Sequence, residues 1–263
     1  MQITKLIRWA VLVGACLLLL ASRVAAQSTA DPVGPRLSLA IGVGAGIGAR
    51  SVTFSERAGD RALATQPFPT LDIALRIGMQ LRRRVSLAID SDYQTSVGLR
   101  VDNSALAPGA DRRTLLRLHS VRFGVGPGYQ ILRARPGLSV RAFVGWMVRG
   151  LRAVGEIDLP GYMLHGPTLR PELELTLGDG SISLRGGPEL ALVVSASRDL
   201  EKPAGLASTG WGVGGVLAAD FRLSAWLHVL LVYRGAYVRV ASAWDHSFED
   251  TEHVAVGRCE LRY

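Results

Sequence analysis

The segment IDSDY carries two carboxylates with a spacing that could support acid–base chemistry. Asp90 and Asp92 are two positions apart, so their side chains share one face of an extended strand. The adjacent pair Asp245 and His246 is a second candidate, since carboxylates and imidazoles are the usual general acids and bases of enzymes. These four residues are the candidates for catalysis.

The carboxyl-terminal segment also gathers side chains of the types that bind cations. These are Asp245, His246, Glu249, Asp250, Glu252 and His253. Carboxylates and imidazoles are common metal ligands, whereas a solvated loop of charged residues needs no metal. The second interpretation is the simpler one, and the other histidines are scattered. The sequence therefore predicts neither a metal site nor a cofactor.

Most of the chain alternates between apolar and polar side chains, which indicates strands with one apolar face. In TLDIALRIGMQL, for example, Asp72 and Arg76 lie on the face opposite the aliphatic side chains. The fourth candidate strand changes phase near His119, which predicts a bulge, and the ninth is apolar on both faces. Ten candidate strands span residues 36–51, 70–81, 85–97, 115–130, 138–151, 168–177, 182–196, 209–219, 225–241 and 253–263.

The connections between these strands alternate strictly between long and short, with RRR, ILRARPG, GDGS and DFRLS as the short ones. Bacterial outer-membrane barrels have this pattern, because their extracellular loops are long and their periplasmic turns short. The chain after about Pro35 resembles that class, and its size is similar to OmpA-type, OmpW-type and omptin barrels. The resemblance predicts an all-β fold: a closed antiparallel up-and-down transmembrane β-barrel of about ten strands, with eight or twelve also allowed.

The amino-terminal segment predicts export. It has two basic residues, an apolar run, and small side chains at Val24 and Ala26 ahead of a cleavage position. We therefore divide the chain into a signal peptide (1–26), a short periplasmic leader (27–35) and the barrel (36–263). The expected location is the outer membrane. Both termini are then periplasmic, because an even number of strands returns the chain to its starting side.

Composition argues against several other classes. Loss of Lys5, Arg8 and Arg23 with the signal peptide lowers the 30 basic residues to 27 against 22 acidic ones, a net charge of +5. A basic balance can indicate nucleic acid, but an exported chain rarely meets it, so we expect no nucleic-acid partner. Cys259 is the one cysteine outside the signal peptide, so no disulfide forms within the mature chain.

The chain ends inside a strand, on Tyr263. In outer-membrane barrels the last strand usually ends in an aromatic residue, with apolar residues at alternate positions before it, and the barrel assembly machinery reads this pattern. The resemblance implies that Tyr263, Leu261 and Cys259 form this assembly signal, although Gly257 and Ala255 are weaker matches. It also implies contact with outer-membrane lipid and lipopolysaccharide.

A resemblance to omptin proteases bears on the acidic pair. These barrels have an Asp-x-Asp pair on the wall, and an Asp–His pair across the mouth completes a site that activates water. Asp90 and Asp92 match the first pair and Asp245 and His246 the second. Omptins space the second pair differently, which puts the protease interpretation in doubt.

The polar face of the strands predicts a filled lumen. The glycines of GVGAGIG alternate strictly and no helix follows, so they lack the context of a dinucleotide-binding loop. On the first strand they would leave room for large side chains of the last strand, such as Arg258. The turns RRR and GDGS set registers that bring opposite charges face to face, which stabilises a ladder. The predicted lumen ion pairs are Arg76–Asp90, Glu174–Arg185 and Arg170–Glu189.

A narrow barrel crowded with charged side chains is expected to be a plug. The leading hypothesis is a non-enzymatic structural or anchoring component of the cell envelope. It could act within a machine for secretion, polysaccharide export or surface motility, contacting other envelope proteins through its loops or periplasmic turns. One alternative is a narrow porin-like channel for small solutes. The other is an outer-membrane hydrolase, either an omptin-like protease or a lipid A-modifying enzyme.

Deleting residues 261–263 should block membrane assembly, whereas deleting residues 27–34 should not. The first deletion removes the end of the last strand and its aromatic residue, while the leader is short, polar and Pro-bearing. The measurement is the heat-modifiable band of the barrel in the outer-membrane fraction. Equal losses for the two truncations would contradict the assignment of the terminal strand.

Overall fold

The computed structural model describes residues 36–56, 59–102, 113–132, 136–154, 161–196, 206–242 and 247–263. Ten long strands form one closed antiparallel barrel, which confirms the predicted fold class. They are β1 (Arg36–Glu56), β3 (Phe68–Gln80), β4 (Val85–Ser96), β6 (Arg113–Leu132), β7 (Gly137–Val154), β8 (Tyr162–Leu177), β9 (Ile182–Val193), β11 (Leu206–Arg222), β12 (Leu227–Ser242) and β13 (Ser247–Arg262). Within the described ranges, no helix is long and apolar enough to span a membrane.

Three short strands extend the wall at the end of the barrel with the longer connections, here called the long-loop end. They are β2 (Gly59–Ala64), β5 (Arg100–Asp102) and β10 (Ser195–Ala196), which pair with β1, β6 and β8 respectively. Several wall strands also start earlier than predicted at this end. Strand β8 begins at Tyr162 and β13 at Ser247, because their backbone pairing continues past the segment of regular apolar alternation.

Strands β1 and β13 close the barrel. Their pairing runs from Ala40 opposite Arg262 to Ser55 opposite Ser247. The other end of the barrel is here called the short-turn end. There the N–H of Tyr263 donates a hydrogen bond to the carbonyl of Leu39 at 2.8 Å, and the carbonyl of Tyr263 accepts one from the N–H of Leu39 at 3.0 Å. A closed sheet has no unpaired edge, which is the condition for a β-structure in lipid.

The outward face of the wall is apolar and the inward face is polar. Val43, Ile47 and Leu217 are each 60–63% exposed, whereas Asp72 and Arg258 on the lumen side are buried. A water-soluble barrel has the opposite arrangement, so this wall is that of a transmembrane barrel. Exposed aromatic side chains lie near both ends, as expected for membrane interfaces. They are Trp211 at the long-loop end and Tyr129, Trp226 and Tyr263 at the short-turn end.

The short turns set the predicted registers. Leu177 lies opposite Ile182, and the turn between them contains Gly178 and Gly180 with φ of 58° and 87°, values that favour glycine. Asp179 in this turn accepts a hydrogen bond from the backbone N–H of Ser181 at 2.9 Å. Hydrogen bonding from the side chain of Ser181, together with this backbone bond, lowers the pKa of Asp179 from its ordinary value.

Strand β6 itself has no bulge at His119, since its alternation is unbroken there, so the bulge predicted within this strand is wrong. Its pairing with β4 is continuous from Val85 opposite Tyr129 to Thr95 opposite His119, and the register shifts by one residue only beyond that point, where Arg100 of β5 lies opposite Leu115. Leu116 and Leu118 face the lumen, because the lumen itself is apolar at that height. The change of phase in the sequence therefore reflects a change in the lumen, and the irregular register lies near Gln130, between β6 and β7.

The glycines of β1 make room for the side chains of β13, as predicted. A Cβ atom at Gly42 would lie 2.5 Å from Cδ of Arg258. The guanidinium of that arginine is held by Asp72, with Nε 2.7 Å from Oδ1. The small residue and the large one therefore form a single packing unit.

Replacing Gly42 with Leu should destabilise the barrel by about 1–3 kcal/mol, the usual cost of overpacking, because it displaces Arg258 from Asp72. Gly257→Leu is the matched control, since Gly257 faces outward and a Cβ there would have no atom closer than 4.0 Å. The urea midpoint of unfolding in detergent measures the difference. Similar midpoints for the two variants would contradict this account of the glycine face.

Candidate functional site: the occluded lumen

An apolar cluster fills the lumen at the long-loop end. The rings of Tyr162 and Phe248 meet edge to face, with centroids 4.7 Å apart, and Phe248 is completely buried. Side chains from most of the wall strands complete the cluster, so this end of the barrel is a hydrophobic core. Its other members are Val52, Phe68, Leu99, Leu116, Leu118, Met147, Leu151, Leu164, Ala191, Val193, Val238 and Val240.

A buried ion cluster centred on Asp250 includes Tyr162 from that apolar cluster. Arg50 binds the carboxylate through Nε at 2.8 Å and Nη2 at 2.5 Å. Arg149 approaches the same carboxylate with Nε at 2.8 Å and Nη2 at 3.1 Å. The hydroxyl of Tyr162 donates to Oδ2 at 2.9 Å, and Glu252 lies 3.3 Å from Arg149. Two arginines, two carboxylates and a phenol therefore lie in direct contact with one another, buried from solvent.

This cluster crosses the full width of the lumen. Around the barrel, strands β1 and β13 lie diametrically opposite β7 and β8. Arg50 and Asp250 come from the first pair of strands, and Arg149 and Tyr162 from the second. Their direct contacts therefore connect opposite walls, which leaves no open path between them.

A second set of ion pairs fills the middle of the lumen. Asp92 on β4 binds Arg234 on β12, and Arg122 on β6 lies 3.7 Å from the same carboxylate. Arg122 also contacts Glu189 on β9 at 3.3 Å. Asp72 binds Arg258 at 2.5 Å. Most of these pairs join strands that are not neighbours in the sheet.

Near the short-turn end the lumen charges are again paired. Asp220 accepts from His228 Nδ1 at 2.9 Å and from Arg262, which also binds Glu260 at 2.6 Å. On the other side, Arg141 contacts Glu174 at 2.7 Å. Here, however, the lumen widens into open cavities that reach solvent.

The structure places the predicted lumen residues in the expected registers but gives most of them different partners. Arg76 lies opposite Asp90 with Nε 3.3 Å from Oδ1. Glu174 lies opposite Arg185, yet its carboxylate binds Arg141 on the other neighbouring strand. The remaining predicted pair is also split, since Arg170 binds Asp90 and Glu189 contacts Arg122. The lumen is narrow enough for long side chains to reach across it. Two residues that lie opposite each other on neighbouring strands therefore need not form an ion pair.

The catalytic candidates are arranged for charge pairing. Asp90 is bound by Arg76 and Arg170, and Asp92 by Arg234, so both carboxylates point at guanidinium groups inside the wall. Asp245 and His246 lie outside the described residues. The described part of the chain thus has no arrangement in which the two aspartates share a water-accessible position.

Four of the six side chains considered as cation ligands are described, and these four, Glu249, Asp250, Glu252 and His253, do not form a common site. Because β13 begins at Ser247, successive residues alternate between its faces. Asp250 and Glu252 point into the lumen toward arginines, whereas His253 is outside, with Nδ1 2.8 Å from the hydroxyl of Tyr233. Among the described residues no group of three or more histidines, cysteines, aspartates or glutamates could hold a metal ion.

The sequence interpretation missed the cluster around Asp250. The signal was present, since Asp250 and Glu252 continue the lumen-facing alternation of Val254, Val256 and Arg258. Extending the last predicted strand by six residues toward the amino end would have placed both carboxylates inside the barrel.

Comparisons with known proteins give barrels of the same kind. The OmpT protease from the outer membrane of Escherichia coli is 8% identical, covers 86% of this chain and 96% of its own, and has a TM-score of 0.48. Ail, the attachment invasion locus protein of Yersinia pestis, is 10% identical over 87% of this chain and 99% of its own, with a TM-score of 0.34. The toluene transporter TodX of Pseudomonas putida is 9% identical over 89% of this chain and 91% of its own, with a TM-score of 0.31.

No protein-family model matches the chain, and no curated protein does. The three similar structures are a protease, an attachment protein and a transporter, so they share a barrel and differ in what they do. The assignment as a bacterial outer-membrane β-barrel follows from the closed wall and its apolar outer face. The function is argued from the side chains of this chain alone.

Replacing Asp250 with Asn should destabilise the barrel by about 3–5 kcal/mol, because it leaves two buried arginines without their shared carboxylate. Glu249→Gln is the matched control. Glu249 pairs with Arg239 at 3.6 Å, both side chains are more than a third exposed, and such a pair contributes at most about 1 kcal/mol. Urea unfolding of the two variants in lipid vesicles gives the comparison, and equal midpoints would overturn the central role of Asp250.

Proposed function

We propose that this chain is a plugged outer-membrane barrel that acts as a structural or anchoring component of the cell envelope. The observation that carries the proposal is the Asp250 cluster, which joins opposite walls of the lumen by direct contacts. The apolar cluster of the long-loop end surrounds it. A barrel built in this way presents its two rims and its outer wall to other molecules.

The alternative of a narrow channel requires a continuous water path, and the packing of the lumen weighs against one. A small pocket beside Phe68 and Glu252 measures about 10 Å³, at the lower limit of the space that one water molecule needs. Opening a path through the Asp250 cluster would expose several charged groups whose partners lie on the opposite wall. Such a rearrangement would break the ion pairs and the hydrogen bond that join the two walls.

The alternative of a hydrolase requires a carboxylate that is free to take a proton from water. Asp90 and Asp92 each lie against arginine side chains, whose guanidinium groups contact the carboxylate oxygens that a catalytic water would need. This arrangement supports a role in holding the lumen together. No described observation favours a protease or a lipid A-modifying enzyme over the structural role.

The proposal includes the orientation and the partners of the barrel. The signal peptide directs export, the barrel assembly machinery recognises the terminal strand ending at Tyr263, and the short-turn end with both termini faces the periplasm. Outer-membrane lipid and lipopolysaccharide cover the apolar wall. Other envelope proteins, for example those of a secretion, polysaccharide-export or motility machine, contact the loops or the periplasmic turns.

The barrel should show little or no steady conductance in planar lipid bilayers. Thiol labelling tests the same point at chosen depths, in a Cys259→Ala background. Ser120→Cys, in the lumen and only 4% exposed as serine, should resist a water-soluble maleimide until the barrel unfolds. Ser86→Cys lines an open cavity at the short-turn end and should react in the folded state. A large stable channel, or equally fast labelling at both positions, would favour the pore.

A further inference from the structure

One open cavity at the short-turn end is lined by arginine and has no acidic residue in its described lining. It measures about 900 Å³ and is bounded by β1, β3, β4, β6, β7 and the turn between β3 and β4. Its arginines are Arg36, Arg76, Arg82, Arg83 and Arg141. We call this cavity the basic vestibule.

Two of these arginines already have partners deeper in the lumen. Arg76 contacts Asp90, and Arg141 contacts Glu172 and Glu174. By contrast, Arg36 and Arg82 have no carboxylate within salt-bridge distance among the described residues. The vestibule therefore carries positive charge beyond what the barrel itself neutralises.

The rest of the same rim is different. A second cavity, of about 400 Å³, is lined by Asp220, His228 and Arg262 together with Glu174. There the charges pair with one another, since Asp220 binds both His228 and Arg262. Arg222 is the one arginine of this described lining without a carboxylate within salt-bridge distance. Among the described residues, the larger excess of basic charge therefore lies in the basic vestibule.

The size and lining of the vestibule favour a segment of polypeptide over a single small anion. A volume of about 900 Å³ lies at the upper end of the range for drug-sized ligands. Besides arginine it presents the amide side chains of Gln80 and Gln130 and the hydroxyls of Ser38 and Ser86. Guanidinium groups bind carboxylates with two parallel hydrogen bonds, while amides and hydroxyls can pair with a peptide backbone.

We propose that the basic vestibule is the docking site for an acidic peptide segment of a periplasmic partner protein. This inference rests on the proposed orientation, in which the short-turn end faces the periplasm, and it names the chemistry of the partner that an anchoring barrel would hold. Carboxylates of the segment pair with Arg36 and Arg82, while the closed half of the lumen limits how far the segment enters.

The test uses the full mature barrel in detergent and a fluorescent hexapeptide of alternating Asp and Ser with blocked ends. Binding is followed by fluorescence anisotropy at physiological salt, against a matched peptide with Asn in place of Asp. The double variant Arg36→Gln, Arg82→Gln should bind the acidic peptide about fourfold more weakly, since each exposed pair is worth about twofold or slightly more. The control double variant Arg117→Gln, Arg152→Gln removes the same charge from exposed positions near the long-loop end and should change the affinity less than twofold.

Heat-modifiable migration of both double variants verifies that each barrel is folded. Equal affinity for the Asp and Asn peptides, equal weakening in the two double variants, or no binding would overturn the proposal. Selective retention of phosphatidylglycerol by the wild type but not by the vestibule variant, without peptide binding, would assign the vestibule to lipid and overturn it as well. The plug is tested separately by conductance, so a non-conducting barrel that ignores the acidic peptide would contradict the docking site alone.

Discussion

The pairing of β1 with β13 is the interaction on which the rest of this structure depends. In a membrane, backbone amides and carbonyls have no water to bond with, so a sheet must close on itself. Closure with ten strands fixes a narrow lumen. The polar faces of all ten strands are then turned toward one another across a short distance. Their charges must be matched inside that space, because a buried ion without a partner is costly.

The lumen charges are paired by contacts between strands that are far apart in the sheet, as well as by contacts between neighbouring strands. Asp250 on β13 takes arginines from β1 and from β7, and Asp92 on β4 takes one from β12. Such contacts couple strands that are far apart in the sheet. Long arginine side chains are suited to this role, since the planar guanidinium offers several donors at the end of an apolar stem.

The two halves of the lumen have different characters, and this difference bears on function. The long-loop half is a hydrophobic core beside the Asp250 cluster, while the short-turn half opens into solvent-filled cavities. This asymmetry supports the proposed role as a plugged barrel. In that role the packed half holds the wall together, and the open rim offers a shaped surface to other molecules.

The sequence by itself determined the barrel, and only the tertiary structure decided what fills it. Alternation along each strand and short turns such as GDGS are local features, so they were enough to predict ten strands, the outward apolar face and the register of Arg76 with Asp90. The partner of Glu174, the absence of a bulge at His119 and the burial of Asp250 were not predictable in the same way. Each depends on which side chains meet across the closed lumen, and that distance is set by the curvature of the whole sheet, which no single segment encodes.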